Sequence, residues 1–272
     1  MAELQTQAAF LNTQGASLYY EVAGQGEAVL FIHAGIADSR MWDEQFSVFA
    51  QRYQTIRYDI RGFGQSQMPA APFAHHADPA NLLRALNIEK AYVIGNSFGG
   101  KIAVDFALTY PEMVASLVLV APSIGGDTPS PEVRQFWEEE EALVEQGNLE
   151  AATELNVRVW VDGPRRTAGQ VNAHVRQRVH DMQYHTFTVP VPEGSEEIEL
   201  QPPAMTRLAE IRVPTLIIVG NYDFPDKLEL AQRLSEQIPN AQLVIIPDAA
   251  HVVSMEQPEQ FNQHVLSFLD QR

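Results

Sequence analysis

The sequence contains no cysteine among its 272 residues. Disulfide bonds, thiolate metal ligands and a cysteine nucleophile are therefore excluded. The histidines do not replace those ligands, because none of them is spaced as His-x-His or His-x-x-x-His. We therefore expect no metal site and no metal cofactor.

Basic residues are scarce in this chain. Lysine and arginine total 18 against 35 aspartates and glutamates, which gives a formal net charge of −17 at pH 7. Such a charge repels nucleic-acid phosphates and anionic lipid surfaces. We expect neither nucleic acid nor a membrane as a partner, and the excess of acidic groups is explained by solubility. The sequence carries no signal of oligomeric state.

Long hydrophobic runs are also missing. No apolar stretch approaches the ~20 residues that a membrane-spanning helix requires. The first seven residues have neither the basic start nor the apolar centre of a signal peptide. Together these absences predict a cytoplasmic protein.

The sequence does contain short apolar runs that alternate with helical patterns. Hydrophobic residues make up 45% of the chain, which is enough for a sizeable core. Strands that alternate with helices form parallel sheets, so the pattern predicts an α/β fold with a parallel sheet wound with helices. The predicted strands are a hairpin at 8–12 and 16–22, then 28–32, 55–58, 91–94, 114–121, 214–219 and 242–246.

The composition changes at Pro122, and the alternation resumes only after residue 203. Helical patterns and a proline-rich loop fill this stretch. We interpret 122–203 as an insertion over one end of the sheet, and 1–121 with 204–272 as the core. The predicted parts of the insertion are an acidic helix at 131–147, whose glutamates 138–141 form a solvated face, a helix at 149–160, a third helix marked by Val171, Val175 and Val179, and a loop at 184–203.

Two later helices carry terminal signals. Asp226 is the predicted N-cap of a helix that runs to Ile238. Pro258 occupies the first position of the terminal helix, where its missing N–H costs nothing.

The stretch Gly95-Asn96-Ser97-Phe98-Gly99 lies between a predicted strand and a predicted helix. A serine flanked at two residues on each side by glycine, in this context, is typical of a nucleophile elbow. The sharp turn brings the two flanking positions together, so neither can carry a side chain. Ser97 is therefore a candidate nucleophile.

Two further residues complete a possible catalytic set. Asp223 and His251, like Ser97, follow directly after predicted strands, and the carboxyl ends of parallel strands form one crevice. A serine hydroxyl needs a base, which His251 would supply. An acid such as Asp223 would fix the imidazole tautomer and stabilise the imidazolium.

The same chemistry needs two donors for a tetrahedral oxyanion. The first donor is the N–H of Phe98, which lies at the start of the predicted helix, where the helix dipole favours negative charge. The second donor should follow the strand 28–32, and Gly35 N–H is the best candidate, with Ile36 as the alternative.

Several stretches resemble motifs of the α/β-hydrolase superfamily of serine hydrolases. They are His33-Ala34 with Trp42, Asp59-x-Arg61-Gly62-x-Gly64-x-Ser66, Gly95-Asn96-Ser97-Phe98-Gly99-Gly100, Gly220-x-x-Asp223 and His251-x-x-x-x-Glu256-x-Pro258. The resemblance implies an α/β-hydrolase fold, with a mostly parallel eight-stranded sheet and a helical cap at 122–203. It also implies a cofactor-free enzyme with a small-molecule substrate. The family usually has His-Gly where this chain has His33-Ala34, which leaves the second oxyanion donor open.

Details within the resemblance suggest more than one substrate. Gly-Asn-Ser at the elbow is similar to carbon–carbon bond hydrolases of aromatic degradation, whereas residues 38–45 are similar to enol-lactonases. We expect a serine hydrolase of a small to medium, partly apolar ester or lactone. Carbon–carbon hydrolysis of a vinylogous diketone, perhydrolysis and a non-catalytic receptor remain alternatives. The predicted pocket residues are Ile36, Trp137, Trp160, Tyr184, Phe187, Phe224 and Val252.

Other motifs have competing interpretations. Residues 95–101 also fit Gly-x-x-x-x-Gly-Lys, but Ile102 stands where a phosphate loop needs serine or threonine. His33, Asp59 and Arg61 are expected to brace loops. Asp127 is an alternative to Asp223 as the triad acid.

Overall fold

The computed structural model describes residues 5–271. An eight-stranded sheet forms its centre, with strand order β1-β2-β4-β3-β5-β6-β7-β8. The pairs β1–β2 and β2–β4 are antiparallel, and every other neighbouring pair is parallel. The strands are β1 Thr6–Thr13, β2 Ala16–Ala23, β3 Ala28–Ile32, β4 Gln54–Tyr58, β5 Ala91–Asn96, β6 Val114–Val120, β7 Thr215–Gly220 and β8 Ala241–Ile246.

Nine α-helices lie in the described part of the chain. They are α1 Asp43–Phe49, α2 Ala77–Ala85, α3 Phe98–Thr109, α4 Pro131–Glu145, α5 Leu149–Asn156, α6 Ala173–Thr188, α7 Pro225–Gln237, α8 Val253–Glu256 and α9 Pro258–Leu269. Three of them, α4 to α6, belong to the segment 122–203 and pack mainly on one another. Short 3-10 turns cover Ser39–Trp42, Pro111–Met113, Ala168–Gln170, Ala204–Thr206 and Leu208–Glu210. The predicted α/β architecture with a mostly parallel eight-stranded sheet is confirmed.

Strand β3 shows why the central strands are apolar on both sides. Val29 and Phe31 enter one large hydrophobic cluster, while Leu30 and Ile32 enter the cluster on the opposite face. All four side chains have no exposed surface. Burying each contributes about 1.5–3 kcal/mol, which explains why both faces of this doubly covered strand are apolar.

The helix starts follow local rules, with one correction. Ser130 Oγ accepts a hydrogen bond from Val133 N (3.2 Å) at the start of α4. Pro258 begins α9, as predicted. Asp226 is not the cap of α7, because the helix starts at Pro225 and Phe224 occupies the N-cap position. Proline takes the first helical position here and places Asp226 inside the first turn.

The segment 122–203, called the cap segment below, differs in detail from its predicted form. Its second helix changes at Val157 into a π-helix, Val157–Asp162. Helix α6 continues to Thr188, so the predicted loop starts later than residue 184. Within that loop, Glu196–Glu197 pairs in parallel with Pro72–Phe73.

In the described part of the chain, no helix is both long and apolar enough to cross a membrane. The first four residues, which belong to the N-terminal stretch assessed for a signal peptide, lie outside the described range.

Candidate active site

Ser97 lies at the turn between β5 and α3 with a left-handed backbone, φ 53° and ψ −112°. A Cβ atom on Gly95 would lie 2.3 Å from the carbonyl oxygen of Gly99. One on Gly99 would lie 2.3 Å from the carbonyl oxygen of Ile32. Ser97 N donates to Val120 O (2.9 Å), which ties the strained turn to the neighbouring strand. The turn therefore has the geometry of a nucleophile elbow, held by its surroundings.

Asp223 and His251 are joined by a buried hydrogen bond. His251 Nδ1 lies 2.8 Å from Asp223 Oδ2, and Phe224 N donates to Asp223 Oδ1 (2.8 Å). Both side chains are almost completely buried. When an ionised carboxylate accepts from Nδ1–H, the neutral imidazole presents Nε2 as the proton acceptor. That is the tautomer a general base needs.

The two loops that carry this pair close on each other at Gly220. A Cβ atom there would lie 2.3 Å from the carbonyl oxygens of both Ala249 and Ala250. Only glycine allows this approach, which brings the ends of β7 and β8 together.

The backbone of His251 is fixed from two directions. Its N–H donates to Trp160 O (3.2 Å), and its carbonyl accepts from Asn96 Nδ2 (3.3 Å). The Trp160 ring packs against the imidazole at a tilt of 38°, with centroids 4.6 Å apart. The cap segment and the elbow strand therefore both position this histidine.

A buried ion pair braces the same loop. Arg166 Nη2 donates to Glu256 Oε2 (2.6 Å) and to Val161 O (2.7 Å), at the end of the π-helix. Ala250 N donates to Glu256 Oε1 (2.7 Å). Burial raises the pKa of Glu256, against the opposing effect of Arg166. This network joins the cap segment to the residue before His251.

The oxyanion-donor candidates are close together. Gly35 and Ile36 form a turn closed by Ala37 N donating to Ala34 O (3.1 Å). Phe98 is the first residue of α3, where a backbone N–H has no acceptor within the helix. A Cβ atom on Gly35 would lie 3.5 Å from Phe98 Cβ. Gly35, Ile36 and Phe98 therefore face one space.

His33 supports the turn at Gly35 and Ile36 through two hydrogen bonds to the backbone. Its Nε2 accepts from Ile60 N (2.8 Å), so Nδ1 carries the proton and donates to Ala34 O (2.8 Å). Complete burial lowers the pKa of His33, which keeps the ring neutral. Its contacts are those of a structural residue.

A cavity of about 320 Å³ lies over Ser97 and His251. Three predicted pocket residues line it, namely Ile36, Trp137 and Trp160. The prediction was wrong for four others. Phe224 packs behind Trp160, Val252 is completely buried in the core, Tyr184 stacks on His180, and Phe187 lies outside the lining.

The helical period explains the error on α6. Val179 and Met182 are buried, and Gln183 continues this inner face, whereas Tyr184 is rotated by about 100° and exposed. Aromatic character alone was therefore a poor guide to the pocket. The missed lining residues include Ser123, Ile124, Val133, Phe136, Glu140, Asn156, Gln183 and Lys227. Polar residues at buried helical spacing were the signal that could have found Asn156 and Gln183.

Asp127, the alternative acid, does not reach His251. It lines the cavity, and its carboxylate pairs with Arg233 (3.2 Å). Lys101 likewise does not serve a phosphate loop, because its ammonium pairs with Glu197 (2.6 Å) and Glu199 (3.3 Å).

Asp59 and Arg61 brace loops in the structure. Asp59 accepts hydrogen bonds from the backbone N–H groups of Ser39 and Gln65. Arg61 forms a fully buried bidentate pair with Asp78. In residues 5–271, no group of three or more possible ligands among histidine, aspartate and glutamate is arranged to hold a metal ion.

His75 lies behind the elbow, in edge contact with the rings of Phe73 (4.9 Å) and Phe98 (5.1 Å). Burial, with a contribution from Lys101, lowers the pKa of His75 to about 3. In the unfolded chain the ring protonates near pH ~6.5. Protons therefore favour the unfolded state, and stability falls as the pH drops below about 6.5.

We expect His75→Phe to remove this acid sensitivity while keeping the ring contacts. Between pH 7 and pH 5, the free energy of unfolding of the variant should fall by about 2 kcal/mol less than that of the wild type. Urea denaturation at both pH values measures the difference. The exposed His264→Asn serves as the control. An unchanged pH dependence in His75→Phe would contradict the argument.

Comparison with known proteins assigns the family. A family model described as alpha/beta hydrolase fold matches residues 27–258. The chain therefore belongs to the α/β-hydrolase family and is a hydrolase of this fold.

Individual relatives are similar along nearly their whole length. The carboxylesterase YbfK of Bacillus subtilis (strain 168) is 25% identical over 281 residues, covering 98% of this chain and 88% of the relative. The 2-hydroxy-6-oxo-6-phenylhexa-2,4-dienoate hydrolase of Burkholderia cepacia is 27% identical over 279 residues, covering 95% and 94%. Among solved structures, Est816, described as an N-acyl homoserine lactone degrading enzyme, has a TM-score of 0.76 at 25% identity, covering 96% of this chain and all of the other.

Proposed function

We propose that this protein is a cofactor-free serine hydrolase that cleaves a small to medium, partly apolar carboxylic ester or lactone through an acyl-enzyme. The observation that carries the proposal is the hydrogen bond between Asp223 and His251, because His251 lines the same cavity as the strained Ser97 turn. Nucleophile, base and orienting acid are the three parts that this chemistry requires.

The proposed reaction has two halves. Ser97 Oγ attacks the ester carbonyl carbon while His251 Nε2 takes the hydroxyl proton. The N–H groups of Phe98 and Gly35 stabilise the oxyanion. The C–O bond to the leaving group then breaks, and His251 returns the proton to the departing alcohol. Water, activated by His251, attacks the acyl-enzyme and releases the acid and Ser97.

The cavity supports the substrate class. Ile124, Val133, Phe136 and Trp160 give it an apolar wall, and its volume of about 320 Å³ suits a compact substrate. The carboxylesterase and the lactone-degrading enzyme to which this chain is similar are consistent with an ester or lactone.

Carbon–carbon hydrolysis of a vinylogous diketone is a second candidate. It is supported by the similarity to the dienoate hydrolase of Burkholderia cepacia. Asn96, which suggested this class, is completely buried and holds the His251 carbonyl. Its contact therefore explains the elbow asparagine without a role toward substrate.

A substrate panel tests the proposal. Purified protein is assayed with 4-nitrophenyl esters, γ- and δ-lactones and vinylogous diketones, each also with Ser97→Ala. We expect ester or lactone turnover that requires Ser97. Turnover confined to the diketones would favour the second candidate, and binding without any turnover would favour a receptor.

A further inference from the structure

Three polar side chains form one wall of the cavity over Ser97. Each of the three long helices of the cap segment contributes one of them: Glu140 from α4, Asn156 from the end of α5 and Gln183 from α6. The remaining contacts of this wall are apolar, from Val133, Phe136 and Trp160. Buried polar groups in such surroundings are costly unless something binds them.

Two of these side chains hold each other. Asn156 Nδ2 donates to Glu140 Oε1 (2.6 Å) and to Ala152 O (2.9 Å). Asn156 is only 1% exposed, and burial raises the pKa of Glu140. Glu140, which is expected on a solvated helix face, is therefore half-buried and held at the cavity.

Gln183 is the least satisfied member. It is 3% exposed, and its Oε1 atom is buried with no hydrogen-bond partner in the described part of the chain. An unmet buried amide group destabilises a protein by about 1–3 kcal/mol. Its helix neighbours Val179 and Met182 are apolar, so packing alone would favour an apolar residue at position 183. Gln183 also lines the cavity, so rotation of its terminal amide would turn this oxygen toward a ligand group there.

We propose that Glu140, Asn156 and Gln183 form a subsite for a neutral hydrogen-bonding group of the substrate, a hydroxyl or an amide, carried away from the scissile bond. This inference rests on the proposed ester or lactone hydrolysis and adds the polar group to that substrate. Amide side chains donate and accept, and the glutamate accepts, so a hydroxyl or an N–H group finds a partner at this wall.

The charges around the cavity decide against an acidic group. Glu140 would repel a carboxylate at this wall. The cavity lining includes one lysine, Lys227. It lies on α7, outside the cap segment, and donates to Ser123 Oγ (3.3 Å). A carboxylate at the cap wall would therefore lie near the Glu140 anion. None of the residues of α4, α5 and α6 that line the cavity is a cation that could compensate for this repulsion.

Matched 4-nitrophenyl esters test the subsite. A series of alkanoyl esters of increasing length is compared with esters of equal length that end in a hydroxyl or a carboxylate. At the length that reaches the cap wall, the wild type should prefer hydroxyl over methyl by about tenfold in kcat/KM, and should disfavour the carboxylate. Gln183→Met should reduce the hydroxyl-to-methyl ratio to about one.

Two variants make the result specific. Gln177→Met carries the same change on the exposed side of α6 and should keep the wild-type ratio. Glu140→Gln removes the negative charge and should raise the relative rate for the carboxylate ester by about tenfold. Thermal melting confirms that each variant is folded.

Binding to Ser97→Ala separates the subsite from catalysis. Trp137 and Trp160 line the cavity, so their fluorescence can report binding of methyl ketones with and without a terminal hydroxyl. Tighter binding of the hydroxylated ketone, lost in the Gln183→Met background, supports the subsite even if no ester is hydrolysed. Equal rates and equal affinities for methyl and hydroxyl partners at every length would overturn it, while leaving ester hydrolysis intact.

Discussion

Replacing Ser97 by alanine should reduce ester turnover by about four to six orders of magnitude while leaving the protein folded. Loss of the nucleophile in a comparable triad has an effect of this size, because the remaining groups cannot form an acyl-enzyme. Alanine lacks only the hydroxyl, and the left-handed turn keeps its support from Val120 O and the flanking glycines. Single-turnover kinetics and a fluorophosphonate probe measure the loss.

The exposed Ser47→Ala is the matched control, since it makes the same chemical change on α1. It should retain both turnover and fluorophosphonate labelling at Ser97. Ester hydrolysis by Ser97→Ala at near wild-type rates, or labelling at another residue, would show that Ser97 is not the nucleophile.

Replacing Asp223 by asparagine should lower kcat by about three to four orders of magnitude. The amide can keep the size of the carboxylate and the contact with Phe224 N, but it no longer stabilises an imidazolium. Its NH₂ group can also donate to Nδ1, which moves the proton of a neutral His251 to Nε2. The histidine then lacks the lone pair that takes the proton from Ser97.

Asp127→Asn provides the comparison for this experiment. Asp127 lines the cavity but pairs with Arg233, so its loss should change kcat far less than the loss of Asp223. A large loss of kcat with Asp127→Asn and a small loss with Asp223→Asn would show that Asp127, and not Asp223, is the acid that orients His251. Binding of a methyl ketone to both variants, measured by fluorescence, checks that the cavity is intact.

The cap segment is connected to the catalytic candidates through contacts between residues that are far apart in the sequence. Trp160 contacts the His251 ring and accepts its backbone N–H, and Arg166 joins the π-helix to Glu256. Movement of this part of the cap segment would therefore change the position of the His251 side chain and backbone. Sequence reasoning placed Trp160 in the pocket but had no means of predicting these contacts, because the partners are distant along the chain.

Side-chain direction on the helices of the cap segment explains part of the difference between expectation and structure. Tyr184 and Phe187 lie on α6 outside the cavity lining, whereas Phe224 and Val252 occupy the N-cap positions of α7 and α8. Glu140 was placed in solvent because its neighbours are acidic, yet Asn156 holds it at the cavity. For the residues on α4 and α6, the direction of the side chain depends on how the helix is rotated against its neighbours.

The sequence by itself determined the parallel sheet, the elbow around Ser97 and the strand ends that carry Asp223 and His251. These features follow from local rules: buried strands are apolar on both faces, sharp turns require glycine, and parallel strands end at one edge. Only the tertiary structure decided which side chains of the cap segment face the cavity. That choice depends on the packing of α4, α5 and α6 against each other and the core, which no short stretch of sequence encodes.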